Sequence, residues 1–169
     1  LDSELVLSSL LKKQRENLLI NVNEKVSKNT IESFKRLIFR RANKEPLAYI
    51  LKNKEFWSKD FFVDRSTLIP RPETELLCES VIKILKNKNL HILDMGTGTG
   101  CIILSILNEI KDAKGIGVDI SREAIKVARK NSNKFGLNKR VKFLNKSLED
   151  IYSYKFDLIV SNPPYIKTS

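Results

Sequence analysis

The sequence predicts an α/β protein: a partial, Rossmann-like parallel sheet preceded by a small helical domain and a β-hairpin linker. Three observations carry that reading. From residue 90 onward, apolar runs of strand length alternate with segments of helical periodicity, a rhythm that builds a parallel sheet with right-handed crossovers. A turn with alternating glycines, Gly96, Gly98 and Gly100, joins the first of those runs to the next helix, where doubly wound sheets bring bare backbone against a ligand. Leucines and isoleucines recur at helical spacing in the first 45 residues, before any strand pattern begins. The expected boundaries are 1–45 for the helical domain, 46–70 for the linker and 71–169 for the Rossmann-like domain.

In the helical domain Leu7, Leu11 and Leu18 predict one amphipathic helix, and Ile31, Phe34, Leu37 and Ile38 a second. Thr30 is the expected N-cap of the second, and Arg40 and Arg41 suit the negative end of its dipole. From Pro46 the pattern shortens to the apolar clusters Tyr49-Ile50-Leu51, Phe56-Trp57 and Phe61-Phe62-Val63, which read as a hairpin. Leu77, Val81, Ile84 and Leu85 then form one face of a helix whose first turn holds Glu73 and Glu75. Strands are expected at 90–95, 115–120, 141–144 and 156–160, with an all-round apolar helix at 101–110. Another helix starts near Ser121, and Gly136 is its expected stop.

Composition narrows the class. With 41% hydrophobic and 30% charged residues the 169-residue chain is a globular protein with a real core. The net charge of +11 favours polyanionic partners. Its lysines are scattered, however, so most of them read as solvated surface, and a direct nucleic-acid contact is not the favoured reading. Cys78 and Cys101 lack metal-ligand spacing, and His91 has no Cys or His neighbour; free buried thiols, a structural histidine and no metal site are expected. No apolar run is long enough to span a membrane and no signal peptide opens the chain, so the expected location is cytoplasmic. The first residue is Leu rather than Met, and missing sequence is expected at both ends.

Two segments carry chemistry. Asp119 ends a strand about 20 residues after the glycine turn, where an acidic side chain reaches ribose hydroxyls. A dinucleotide fingerprint would place another glycine at Cys101, so S-adenosylmethionine fits the turn better than NAD. Near the end, Asn162-Pro163-Pro164-Tyr165 follows the last apolar run. Two prolines stop the strand and cannot donate hydrogen bonds. The Asn162 side-chain oxygen and the Pro163 carbonyl can take both hydrogens of an NH2 group, with the Tyr165 ring as a flat apolar neighbour. That points to methylation of a planar amino group, with Asn162, Pro163 and Tyr165 as the catalytic candidates.

Together, residues 68–75 (Leu-Ile-Pro-Arg-Pro-Glu-Thr-Glu), the turn 94–100, Val118-Asp119-Ile120-Ser121 and 161–166 resemble the HemK/PrmC peptide-chain release factor glutamine methyltransferases. Arg40-Arg41-Ala42 and residues 46–50 add weaker matches. The resemblance implies a class I S-adenosylmethionine-dependent methyltransferase sheet and N5-methylation of the glutamine in the Gly-Gly-Gln motif of class I release factors. It implies that Gly96, Thr97, Gly98, Thr99 and Gly100 form the cofactor loop, Asp119 holds the ribose, Ser147 lies near the adenine and Asn162 borders the cofactor. Asn162, Pro163, Pro164 and Tyr165 would hold the substrate amide. Arg71 to Glu75 would brace the entrance or serve as an ordinary acidic helix start. Asp94 would touch the methionine end of the cofactor or support the loop.

Lys52 and Ser58 stand where the family has glycines, which predicts an altered hairpin. The family's last strands are also expected to be missing. Two rival readings follow: a nucleic-acid amino-methyltransferase, against which residues 68–75 argue, and an inactive fragment that only binds its partner. A complete chain is expected to be monomeric.

Overall fold

The computed structural model describes residues 1–21, 23–85, 89–151 and 155–163. The chain divides into two compact units, Leu1–Lys52 and Asn53–Ser169.

The first unit holds four helices: α1 (Asp2–Leu11), α2 (Arg15–Ile20), α3 (Lys28–Ala42) and α4 (Leu47–Leu51). The single helix expected across Leu7, Leu11 and Leu18 is two. Lys12 turns left-handed at φ 53° and its amide closes on the preceding turn, which ends α1. The cap of α3 is Ser27 rather than Thr30. Ser27 has extended backbone and its Oγ accepts from the Thr30 amide at 3.2 Å, whereas Thr30 already lies inside the helix. Residues 46–52, read as linker from sequence, contain α4, because Pro46 provides an extended N-cap whose carbonyl accepts from Tyr49 and Ile50. Among the described residues of this unit, Val6 and Ile50 are the buried apolar ones. Arg41 pairs with Asp2 at 2.6 Å, tying α3 to α1, and Arg40 clasps Glu45 through two hydrogen bonds of 2.7 and 2.8 Å.

The second unit opens with an antiparallel hairpin, β1 (Asn53–Phe56) and β2 (Lys59–Phe62), in the register Asn53↔Phe62. Its turn residues Trp57 and Ser58 both have positive φ, 51° and 53°, as a two-residue hairpin turn requires. Lys52, at φ 53°, and Ser58 adopt the left-handed backbone without a glycine. That geometry costs an L-residue roughly 1–2 kcal/mol, of which glycine's larger unfolded-state entropy takes back about 0.5–1. Ser58→Gly is therefore expected to stabilise the unit by about 0.5 kcal/mol in urea unfolding; a lower midpoint would show that the turn is not strained.

Beyond the hairpin the order is a 3₁₀ turn (Pro72–Thr74), α5 (Glu75–Leu85), β3 (His91–Met95), α6 (Cys101–Glu109), β4 (Lys114–Asp119), α7 (Arg122–Lys134), β5 (Val141–Asn145) and β6 (Leu158–Ser161). The four strands pair in parallel in the order β5-β4-β3-β6, each within two residues of its expected position. On α5 the buried positions are Cys78 and Val81, while Ile84 is 72% exposed, a correction to the expected face. Every residue of α6 from Cys101 to Leu107 is buried. Gly117 lets this face close: a methyl there would sit 2.6 Å from the Phe143 ring and 2.8 Å from Thr97 Oγ1.

One buried polar residue joins three segments. Asn131 of α7, fully buried, accepts from the Phe62 amide at 2.7 Å and donates to the Phe62 carbonyl at 3.0 Å and the Thr99 carbonyl at 2.9 Å. Its amide thus extends the edge of β2 as a further backbone unit would.

Candidate active site

The carboxyl ends of β3, β4 and β6 come level, with Met95 opposite both Val118 and Ser161. Parallel sheets bind ligands at this edge, where the strand order reverses. A cleft of about 640 Å³ opens there.

Its floor begins with the glycine turn. Gly96 and Gly98 have φ of 67° and 54°, and a methyl built on Gly96 would meet nothing within 4 Å, so the bare backbone faces open space. Asp119 holds the turn in place: one carboxylate oxygen accepts from the Gly98 amide at 3.0 Å and the other from the Ser121 amide at 2.9 Å. Each oxygen keeps a second lone pair. Asn145 clamps the neighbouring backbone, donating to the carbonyls of Asp119 at 3.0 Å and Ile120 at 2.8 Å. Ile120 itself is 82% exposed and lines the cleft. An apolar residue this exposed beside an acidic strand end offers a surface for a flat ring.

Other expected cofactor residues sit elsewhere. Thr97, Thr99 and Gly100 do not line the cleft. The Thr97 hydroxyl donates to Asp94 Oδ2 at 2.6 Å, Thr99 Oγ1 accepts from the Cys101 amide at 3.3 Å, and Gly100 precedes α6 with its Cα against Leu104 and Phe143. They build the underside of the turn. Ser147 is on the cleft rim, but its amide and hydroxyl both donate to Asp150 Oδ2, at 3.1 and 3.3 Å.

Asp94 lies behind the turn, fully buried, and its Oδ1 has no hydrogen-bond partner among the described residues. Burial pushes its carboxyl up to about 7, opposed by the Thr97 hydrogen bond and the Ile103 amide and reinforced by Asp119. Of its two sequence readings, the position matches loop support. Burial likewise raises both free thiols, Cys101 to about 12.

The opposite wall carries Asn162 and Pro163, immediately after β6. Ser161 Oγ donates to the Met95 carbonyl at 3.0 Å, and Asn162 Nδ2 donates to Thr74 Oγ1 at 3.0 Å. With its NH2 committed to Thr74, the Asn162 carbonyl oxygen is left as an acceptor. Thr74 is 8% exposed and comes from the segment 71–75; Glu75 Oε1 in the same segment accepts from the Trp57 amide at 2.9 Å. A second recess of about 220 Å³, between Arg71, Glu73, Leu77 and Asn162, adjoins the same side chain. Pro164 and Tyr165 lie outside the described residues. Sequence reasoning gave Ile120 no role, and it placed Thr74 only within the segment 71–75 that would brace the entrance. Ile120 had a signal, an apolar residue directly after the strand-ending Asp119; Thr74 had only its place in a conspicuous motif.

Comparison with known proteins agrees with this geometry. Residues 1–51 match the PrmC N-terminal domain and residues 86–166 a methyltransferase domain. A release factor glutamine methyltransferase from Buchnera aphidicola subsp. Baizongia pistaciae is 44% identical over 170 residues, covering 100% of this chain and 61% of that protein. A bifunctional methyltransferase from Rickettsia typhi is 39% identical over 189 residues, covering 100% of this chain and 36% of its own length. The chain thus spans between about a third and three fifths of these relatives. Among solved structures, a SAM-dependent methyltransferase from Agrobacterium tumefaciens superposes with a TM-score of 0.55 over 66% of this chain and 39% of that one, at 20% identity, a likeness of fold. The chain thus carries a PrmC N-terminal domain ahead of a methyltransferase domain and is similar along its whole length to release factor glutamine methyltransferases.

Proposed function

We propose that the protein transfers a methyl group from S-adenosylmethionine to the side-chain nitrogen of the glutamine in the Gly-Gly-Gln motif of class I release factors, in the cytoplasm. The observation that carries this reading is the Asn162–Thr74 hydrogen bond, which leaves an oriented acceptor on the wall facing the glycine turn. The residues fit the cofactor: an unobstructed backbone at Gly96, lone pairs on Asp119 for a ribose diol and the exposed Ile120 for an adenine. Bound there, S-adenosylmethionine supplies a sulfonium methyl as the electrophile.

An amide nitrogen is a poor nucleophile because its lone pair is delocalised into the carbonyl. Asn162 Oδ1 and the Pro163 carbonyl accept its two hydrogens and hold it in position. Those hydrogens become more acidic as the nitrogen is alkylated, so fixed acceptors bind the transition state more tightly than the ground state. No covalent bond to the protein is required, and one of the two hydrogens, exchanged for the methyl group, would pass as a proton from its acceptor to solvent at the open cleft. The test pairs calorimetric titration with S-adenosylmethionine and mass spectrometry of a release factor incubated with protein and cofactor. A methyl gain on the motif glutamine is expected; methylation of adenine in an oligonucleotide, with none on the release factor, would replace this reading with the nucleic-acid alternative.

Thr74 acts through Asn162. Thr74→Ala is expected to lower kcat about tenfold, the equivalent of one orienting hydrogen bond, with KM for the cofactor unchanged and with Thr74→Ser restoring most of the rate. A serine variant as impaired as the alanine would remove the hydroxyl from the mechanism.

A further inference from the structure

The lysines look scattered in the sequence, but the fold gathers several of them at the edge of the sheet opposite the cleft. A recess of about 400 Å³ opens at the amino ends of the strands, rimmed by His91, Lys114, Lys139, Arg140, Lys142 and Lys155. His91 and Lys114 begin β3 and β4, Lys139 and Arg140 precede β5, and Lys155 comes shortly before β6. Parallel pairing with near-level starts therefore places basic side chains from the beginnings of β4, β5 and β6 on a single rim.

Lys114, Lys139, Lys142 and Lys155 are exposed, and none has an ion pair among the described residues. Arg140 is anchored: its Nη1 donates to the carbonyls of Ile110, Lys111 and Ala113 at 3.1, 2.9 and 3.3 Å, closing the end of α6. Of the neighbouring carboxylates, Asp157 Oδ2 accepts from the His91 amide at 2.8 Å, and Asp112, two residues before Lys114, forms no ion pair with these lysines among the described residues. The floor is apolar, with Ile116 and Phe156 half-buried and packed on the cluster of Leu93 and Val118.

Four uncompensated ammonium groups around an apolar floor repel one another. Such a site gains from a ligand that brings several negative charges at spaced intervals and a flat apolar group between them. We propose that this recess binds single-stranded nucleic acid, with the lysines on successive phosphates and a base against the floor at Phe156. A strand of five residues separates it from the methyl-transfer cleft by roughly 17 Å, so the base held in the recess is not the methyl acceptor. The site is independent of the proposed reaction.

The test is fluorescence anisotropy with a labelled oligouridylate of about 12 nucleotides, a length matched to single-strand sites. Lys139→Glu/Lys142→Glu/Lys155→Glu is compared with Lys25→Glu/Lys28→Glu/Lys35→Glu, an equal charge change on exposed lysines of the other unit. The first is expected to weaken binding at least tenfold and to reduce the slope of log affinity against log salt by about 2, while the second changes affinity less than threefold. Equal losses in both would reduce the effect to net charge and overturn the site. Tripolyphosphate is the competing probe. If it saturates the same lysines and the oligonucleotide does not bind, the ligand is a small polyphosphate and the nucleic-acid assignment falls. Thermal unfolding of both triple variants at the wild-type midpoint confirms that folding is intact; a lower midpoint in the first alone would make its loss of binding structural and overturn the assignment.

Discussion

Asn162→Ala is expected to lower the rate of methyl transfer about 100- to 1,000-fold while leaving S-adenosylmethionine affinity within about threefold. The two readouts separate because the side chain faces both ligands differently. Its amide borders the cleft, but the contacts proposed for the cofactor's ribose and adenine come from Asp119 and Ile120 on the other wall. The acceptor oxygen, in contrast, is aimed at hydrogens whose acidity rises only during reaction, so its loss falls on the transition state. The stability effect is small, since the bond removed, to Thr74, is partly buried and water can replace it at the cleft. Single-turnover rates and calorimetry measure the two quantities on one preparation. Parallel losses in rate and cofactor affinity would move Asn162 from the substrate to the cofactor.

The second large effect concerns pH. The Asp94 carboxyl is raised from 3.8 to about 7 by complete burial, so between those values the folded state holds a proton that the unfolded state has released. Stability contributed by this group is fully present below about pH 4 and is lost as pH rises through 7. The full difference is about 4 kcal/mol, of which about 3 falls between pH 5 and 8. Asp94→Asn keeps an oxygen for the Thr97 hydroxyl and cannot ionise. Its new NH2 occupies the place of the partnerless Oδ1 and offsets part of the gain. The variant is expected to exceed wild type by about 2 kcal/mol at pH 8 and to lose that advantage by pH 5. Urea midpoints of both proteins across this range give the difference directly, cancelling groups that titrate in both. A difference that stays flat, or grows toward low pH, would mean that Asp94 is ionised throughout.

The sheet was legible because its determinants are local. Strands buried on both faces need continuous apolar runs: Ile92 and Val160 pack in the cluster that holds α6, and Leu93 and Val118 in the cluster on the other face. What sequence reasoning misplaced depends on single backbone residues or on partners far along the chain. Nothing in the spacing of Leu7, Leu11 and Leu18 reveals that Lys12 leaves the helix, and a five-residue apolar run such as Leu47–Leu51 has too few positions to tell a helical from a strand period. Ile84 was misassigned because Cys78, a small residue, takes the buried position on α5.

The site divides in the same way. Gly96, Gly98, Asp119 and Asn162 do converge on one cleft, since each follows directly from the end of a strand and parallel pairing brings those ends level. Thr97 and Thr99 share the motif but alternate with the glycines and face inward, and Gly100 already opens α6, where a methyl would meet Leu104 and Phe143. Thr74 lies 88 residues from Asn162, a separation that no local pattern reports.

The Asn131 amide bonds both Phe62 and Thr99, so two boundaries of the cleft share one fastener. Residues 66–68 leave the hairpin to form one of them, and the glycine turn forms another. These parts cannot separate without breaking either the buried Asn131 bond to Thr99 or its paired, partly buried bonds to Phe62, so they behave as a fixed jaw. The facing wall is set by a separate fastener, the Asn162–Thr74 hydrogen bond, so the residue proposed for catalysis and the floor it faces are aligned independently of one another.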